Sequence, residues 1–322
     1  MRTSAISVSG LRKAYGDKAV LDGIDFEVAE GSVFSLLGPN GAGKTTTVNV
    51  LTTLIRADAG TVRIAGHDVA TATGKVRAAI GVTGQSAAVD DLLTGRENLR
   101  LMADLRRVPA AARLVTRLLE RFDLVESAEK RASAYSGGMR RKLDLAMTLV
   151  GDPEVIFLDE PTTGLDPRSR RTMWGIVREL VSEGTTVFLT TRYLEEADQL
   201  ADQVAVLHQG RLAARGTPEA LRRRMPGTHV RFRFADLYEL DSAARILVEA
   251  ARDDEELTLR VPSDGETKSV RALLERLDVH AVDAQEFSVH RPDLDDVFLA
   301  LTGRTGPEGA EPAYEGKEAN SR

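Results

Sequence analysis

Nine residues, Gly38-Pro39-Asn40-Gly41-Ala42-Gly43-Lys44-Thr45-Thr46, leave the chain little freedom in what it can build around them. Just before them, Val33 to Leu37 is a short apolar run, the pattern of a strand buried on both faces. Just after them, Thr47 to Leu54 is compatible with a helix. Strand, glycine-rich loop and helix form the setting in which G-x-x-x-x-G-K-[ST] acts as a phosphate cradle. Glycine lets the backbone turn its N–H groups inward around an anion, and the helix N-terminus adds the positive end of its dipole. In such a loop Lys44 supplies a point charge for the β- and γ-phosphates of a nucleotide, and the Thr45 hydroxyl is a ligand for Mg2+. The fold expected around it is α/β with a parallel sheet.

The rest of the chain limits what the nucleotide is used for. A length of 322 residues suits one large domain with a smaller one, or two of similar size. A net charge of −6 argues against nucleic acid as a partner. With no cysteine, thiolate metal sites, disulfides and cysteine catalysis are excluded. The N-terminal residues lack the apolar core of a signal peptide, and no apolar run approaches the roughly 20 residues needed to span a bilayer. A cytoplasmic protein is expected, with any membrane role supplied by a partner.

From Ile6 to Val28 short alternating segments predict an antiparallel β layer with one buried face, and Thr61 to Ile64 adds a strand. Tyr15 lies in the Lys13–Asp17 turn, where it either stacks on a base or is a partly buried structural tyrosine. Ile80 to Gln85 reads as a strand running into a loop; the Gln85 amide oxygen can coordinate Mg2+ or face water. Leu92 to Val150 is helical, starting from a Thr94–Glu97 capping box with Leu99, Met102 and Leu105 on one face. Ser136-Gly137-Gly138 opens the last of these helices, either as a second anion site at a helix N-terminus or as an ordinary serine cap. Two such sites on one chain suggest that they meet across a dimer. Val155 to Leu158 is a buried strand delivering Asp159 and Glu160 to its C-terminal end, where ligands bind in doubly wound sheets. Asp159 would hold Mg2+ through water, and Glu160 can take a proton from an attacking water. A turn from Thr163 to Pro167, a helix from Arg168 to Val181 and a strand from Thr185 to Thr190 follow, delivering Arg192 to the same sheet edge. Val204 to Arg215 is a hairpin, and Arg222 to Gly227 reads as a linker. Beyond it, helices at Leu240–Ala251, Val270–Leu277 and Leu294–Leu301 alternate with strands around Val230–Phe234, Leu257–Val261 and Phe287–Val289.

Taken in order, Gly38–Thr46, Gln85, Ser136-Gly137-Gly138-Met139, Asp159-Glu160 and Thr163–Pro167 resemble the nucleotide-binding subunit of ATP-binding cassette transporters over about residues 5 to 225. The resemblance implies a P-loop NTPase core with an antiparallel β layer and a helical subdomain at about 90–150. It implies that Tyr15 stacks the adenine, that Lys44 and the loop amides hold the phosphates, and that Thr45 and Gln85 coordinate Mg2+. It further implies that Ser136 and Gly138 reach the γ-phosphate on a partner subunit, that Glu160 is the general base, and that Asp166 couples the two sites. Tyr193–Asp202, Arg140–Ala146 and Asp295–Gly303 look most like the ATP-binding subunit of daunorubicin-resistance drug exporters. Such subunits act as homodimers on a separate membrane-spanning permease, which places them at the inner face of the cell membrane. Other branches export lipids or polysaccharides.

Two departures stand out. Tyr135 and Met139 replace the leucine and glutamine usual in the signature, and Arg192 stands where the family generally has its switch histidine. The fixed charge of Arg192 can contact the γ-phosphate or pair with Glu160, and the second outcome would make an ATP-gated regulator that hydrolyses little. A soluble cassette protein acting on ribosomes or DNA usually carries two cassettes or a long coiled-coil insertion, and neither is present. No asparagine precedes a lysine, so the guanine-reading Asn-Lys-x-Asp is missing. The expected domains are residues 1–225 for the nucleotide-binding domain, 228–303 for a small C-terminal α/β domain, and 304–322 for a disordered tail.

Overall fold

The computed structural model describes residues 4–223 and 228–290. The chain divides into two units, one running to Pro218 and one spanning Glu219–Gly303.

The first unit begins with an antiparallel hairpin of β1 (Ser4–Tyr15) and β2 (Lys18–Ala29), then β3 (Val33–Leu37) and α1 (Lys44–Leu51). β4 (Ala59–Ile64) and β5 (His67–Asp68) complete a four-stranded layer in the order β2-β1-β4-β5. Next come α2 (Thr73–Ala79) and β6 (Ile80–Thr83), then the helical subdomain of α3 (Gly95–Leu105), α4 (Ala111–Arg121) and α5 (Gly137–Thr148). The chain returns through β7 (Val155–Asp159), α6 (Pro167–Ser182), β8 (Thr186–Thr191), α7 (Leu194–Leu200), β9 (Gln203–His208) and β10 (Arg211–Gly216); α8 (Pro218–Arg223) follows, its residues from Glu219 on belonging to the second unit. The main sheet has the order β10-β9-β3-β8-β7-β6, parallel except for β10.

The continuous apolar runs have a direct cause, because both faces of this sheet are covered. Phe34, Phe157 and Phe188 face the antiparallel layer; Phe34 and Phe188 stack with each other and with Phe26, ring centroids 5.1 to 5.8 Å apart, and Phe157 meets Phe188 at a tilted angle. Val33, Ile156, Leu158, Val187 and Leu189 point to the other face, against the helices. Truncating one of these buried phenylalanines to alanine costs about 3–5 kcal/mol. In β2 only one face is covered, so Ile24, Phe26 and Val28 are buried while Asp25 and Glu27 are exposed.

Several local expectations shift. Helix α1 ends at Leu51 and leaves Leu54 exposed. The Thr94–Glu97 capping box forms on α3, but the buried stripe is Leu99 and Ala103, with Met102 partly buried. Leu105 closes the helix on its outer side and is exposed.

In the second unit β11 (His229–Arg233), α9 (Leu237–Ile246), β12 (Ala251–Asp253), β13 (Thr258–Pro262), α10 (Thr267–Asp278) and β14 (Glu286–His290) follow a βαββαβ path. The antiparallel sheet order β12-β13-β11-β14 is that of a split βαβ fold. Its core is Val230, Phe232, Leu240, Leu259, Val261 and Leu277. Helix α9 runs earlier than the expected Leu240–Ala251, because the Asp236 carboxylate caps it through the Glu239 N–H and Ala251 already belongs to β12. Leu257 has φ +53° and sits in the turn before β13. The helix expected at Leu294–Leu301, the Asp295–Gly303 stretch and the tail from 304 lie outside the described residues.

Candidate active site

The loop after β3 is pinned from below. The Gly38 N–H donates to the Thr191 carbonyl at 3.2 Å, and a Cβ at Gly38 would come within 2.4 Å of the Leu207 carbonyl oxygen. Gly43, the N-cap of α1, has φ +111°, and a Cβ there would meet Leu21 at 2.7 Å. Only glycine fits either position, and the backbone is thereby turned into a cradle at a helix N-terminus.

Lys44 is the first residue of α1 and is 4% exposed. Its ammonium donates to the carbonyls of Gly38 at 2.8 Å and Pro39 at 3.2 Å, and lies 3.2 Å from Glu160 Oε1. Burial pushes the Lys44 pKa below its ordinary value, while the neighbouring Glu160 carboxylate opposes that shift.

Strand β7 ends at Asp159, and Glu160 follows with φ +49°, a left-handed conformation that glutamate rarely adopts. Thr190 of β8 secures this corner. Its backbone carbonyl and hydroxyl both accept from the Glu160 N–H at 3.1 Å, and its hydroxyl donates to Asp159 Oδ1. The Thr163 hydroxyl donates to Glu160 Oε2 at 3.2 Å. The carboxylate is therefore aimed by Lys44 on one oxygen and Thr163 on the other. Arg192 does not pair with it; its Nη2 donates to the Tyr193 hydroxyl at 2.9 Å, and the guanidinium lies 5.0 Å from the centre of that ring. The buried Arg192 Nε has no acceptor among the described residues.

These groups meet in a cleft of about 700 Å3. Of the residues singled out from sequence, Asn40, Gly41, Gly43, Lys44, Thr45, Thr46, Gln85, Glu160 and Arg192 line it. Gly38 and Ala42 are the packed underside of the loop, and Asp159 sits buried behind the lining. Tyr15 is 52% exposed at the tip of the β1–β2 hairpin, paired with Lys18, which does line the cleft. Ser136, Gly137 and Asp166 are exposed and away from the lining, and Gly138 is half-buried against Ser169. Ser136 caps α5 by accepting from the Met139 N–H at 3.3 Å, and Asp166 caps α6 by accepting from Arg168 and Ser169.

The cleft also contains Lys18, Ala19, Val20, Gln209 and Gly210, which sequence reasoning missed. They come from two hairpins that only the fold brings together, and the Gln209-Gly210 turn was their one visible signal. Thr190 was read as strand only; nothing in its surroundings marked it as the residue that orients both acids.

Tyr135 fills the position where the signature usually has leucine. It is buried, its hydroxyl donates to the Ser127 carbonyl at 2.7 Å, and burial pushes its pKa up.

Residues 21–163 match the profile of the ABC transporter family. The chain is 47% identical to the daunorubicin resistance ATP-binding protein DrrA3 of Streptomyces coeruleorubidus, across 94% of this chain and 97% of that one. It is 45% identical to the daunorubicin/doxorubicin resistance ATP-binding protein DrrA of Streptomyces peucetius, across 96% and 97%. A solved structure of an ATP-binding subunit of an ABC transporter superposes with a TM-score of 0.63 at 29% identity, covering 69% of this chain and 93% of that chain. With a P-loop, a buried lysine and an aimed carboxylate in one cleft, the chain belongs to the ABC transporter ATP-binding subunits, alongside the daunorubicin-resistance proteins, and is an ATPase.

Proposed function

We propose that this ATPase powers a membrane exporter of a hydrophobic drug or antibiotic. The observation that carries the reading is the match to daunorubicin-resistance ATP-binding proteins over nearly the whole of both chains. No helix among the described residues is long and apolar enough to cross a membrane. On this reading a separate permease carries the exported molecule. A groove of about 400 Å3 between Val82 of β6, Ala88 of the Gln85 loop, and Met102 and Arg106 at the end of α3 offers that permease a docking place. Bound there, the subunit lies at the inner face of the cell membrane.

In the cleft, the loop amides and Lys44 take the β- and γ-phosphates, and Tyr15 stacks on the adenine. Mg2+ suits the donors present, because Thr45, Gln85 and Asp159 offer hard oxygen ligands, and Mg2+ takes one or two protein ligands with phosphate oxygens and water. When bound, it neutralises charge developing on the phosphate oxygens. Glu160, held by Lys44 and Thr163, accepts the proton of the attacking water. Lys44 moves from Glu160 to phosphate as nucleotide arrives, which leaves the carboxylate open to that water. Ser136, exposed at the N-terminus of α5, and the half-buried Gly138 beside it complete the site of a second copy, so the working unit is a homodimer.

Co-expression with the permease in a drug-sensitive host tests the reading through cellular daunorubicin. Accumulation is expected to fall with the native chain and to return to the control level with Lys44→Ala. Equal accumulation with both chains, at equal expression, contradicts drug export.

A further inference from the structure

Helix α5 carries two charged residues on its buried side, Arg141 and Asp144, at 7% and 2% exposure. All five N–H groups of the Arg141 guanidinium are directed at acceptors. Nε donates to the Pro161 carbonyl at 2.8 Å. Nη1 donates to the Gly84 carbonyl at 2.8 Å and to Asp144 Oδ2 at 3.4 Å. Nη2 donates to the Glu160 carbonyl at 3.0 Å and to the Gln85 carbonyl at 3.5 Å.

Four of those acceptors are main-chain carbonyls at two places. The β6–β7 ladder ends at the Thr83–Leu158 pair. Gly84, Gln85, Glu160 and Pro161 lie just beyond it, and the planar guanidinium bridges the two chains where the ladder stops. Asp144 completes the arrangement by accepting from the Ala88 N–H at 3.0 Å. The Gln85 loop is thus held at its start by Arg141 and at its end by Asp144, both on the helix that begins with Ser136-Gly137-Gly138.

A buried ion pair is weak evidence for stability, because apolar side chains of similar size often serve as well or better. Its geometry here has another use. Glu160 holds a left-handed backbone conformation, which persists only where its surroundings over-determine it. Thr190 fixes its N–H, and Arg141 fixes its carbonyl.

We propose that Arg141, backed by Asp144, is a positioning residue that ties the Gln85 loop and the Glu160–Pro161 peptide to α5. A displacement of the exposed Ser136–Gly137 end of α5 is then passed to both cleft residues at once. The inference rests on the reading of Gln85 and Glu160 as residues that act at the γ-phosphate.

Arg141→Lys separates positioning from charge, since an ammonium keeps the positive charge but cannot span the fork of acceptors. Leu145→Ala, a buried truncation in the same helix, is the control for simple loss of stability. Three quantities are measured on the purified full chain: amide hydrogen exchange by mass spectrometry, affinity for a fluorescent ATP analogue, and kcat. For Arg141→Lys, exchange is expected to rise about tenfold in both 84–90 and 160–165, with the β1–β2 hairpin unchanged. Nucleotide affinity should stay within about threefold while kcat falls about tenfold or more. Leu145→Ala should lower the melting temperature yet keep kcat within about twofold. If Arg141→Lys matches Leu145→Ala, or exchange rises in α5 alone, the proposal is overturned. Glu160→Gln is assayed alongside: hydrolysis at the parent rate there refutes the reading of the site, whereas the exchange result judges the tie independently.

Discussion

Arg192 stands where the family resemblance leads one to expect a switch histidine, and its surroundings narrow what it does. Glu160 is already engaged by Lys44 and Thr163, so the ion pair that would brake hydrolysis is not formed. The guanidinium instead rests on Tyr193 and lines the cleft proposed to receive the phosphates. A permanently charged group there can donate parallel hydrogen bonds to phosphate oxygens and stabilise charge in a loose transition state. Arg192→Ala should therefore lower kcat by about tenfold or more, equivalent to about 1.4 kcal/mol or above. Arg192→His should retain activity. Steady-state ATPase assays with the permease present check both, and an alanine variant faster than its parent would show that arginine restrains the reaction.

At the scale of elements, the legible features were those with a local cause. The P-loop, the buried strand ending in Asp159-Glu160 and the capping box of α3 each follow from residues within one turn or one strand of each other. What escaped the sequence depends on contacts between distant segments. The Thr190 hydroxyl sits against Asp159, Lys44 is held by Glu160, and the cleft wall comes from two separate hairpins. Helix ends also drifted where a cap rather than periodicity decides, as at Asp236.

The altered signature shows the same dependence on distance. Tyr135 packs its ring edge onto Gly95, the first residue of α3, so a Cβ at Gly95 would lie 2.1 Å from the tyrosine oxygen. Alanine normally improves a helix over glycine by about 1 kcal/mol. Here Gly95→Ala should instead destabilise the protein by about 1–3 kcal/mol through overpacking. Combining it with Tyr135→Phe should recover part of that loss. Urea unfolding of the two single variants and the double variant measures the coupling, and purely additive effects would show that the two residues do not constrain each other.

For the molecule as a whole, the proposed composite site is a cleft that one copy leaves incomplete. The P-loop, Gln85, Glu160 and Arg192 line it, while Ser136 and Gly137 face outward at the start of α5, where bare N–H groups and a positive helix end suit an anion. The Arg141 bridge connects that outward end to the Gln85 loop and the peptide of Glu160 within each copy. Two copies arranged head to tail would each supply what the other lacks, around two molecules of ATP. The most direct test uses Glu160→Gln, which retains the shape of the site but removes the base, so that bound ATP is not consumed. Light scattering of this variant with Mg-ATP should give twice the 34.9 kDa mass of the chain, and without nucleotide the single-chain mass. A single-chain mass with Mg-ATP at saturation, with and without the permease, would contradict the composite site.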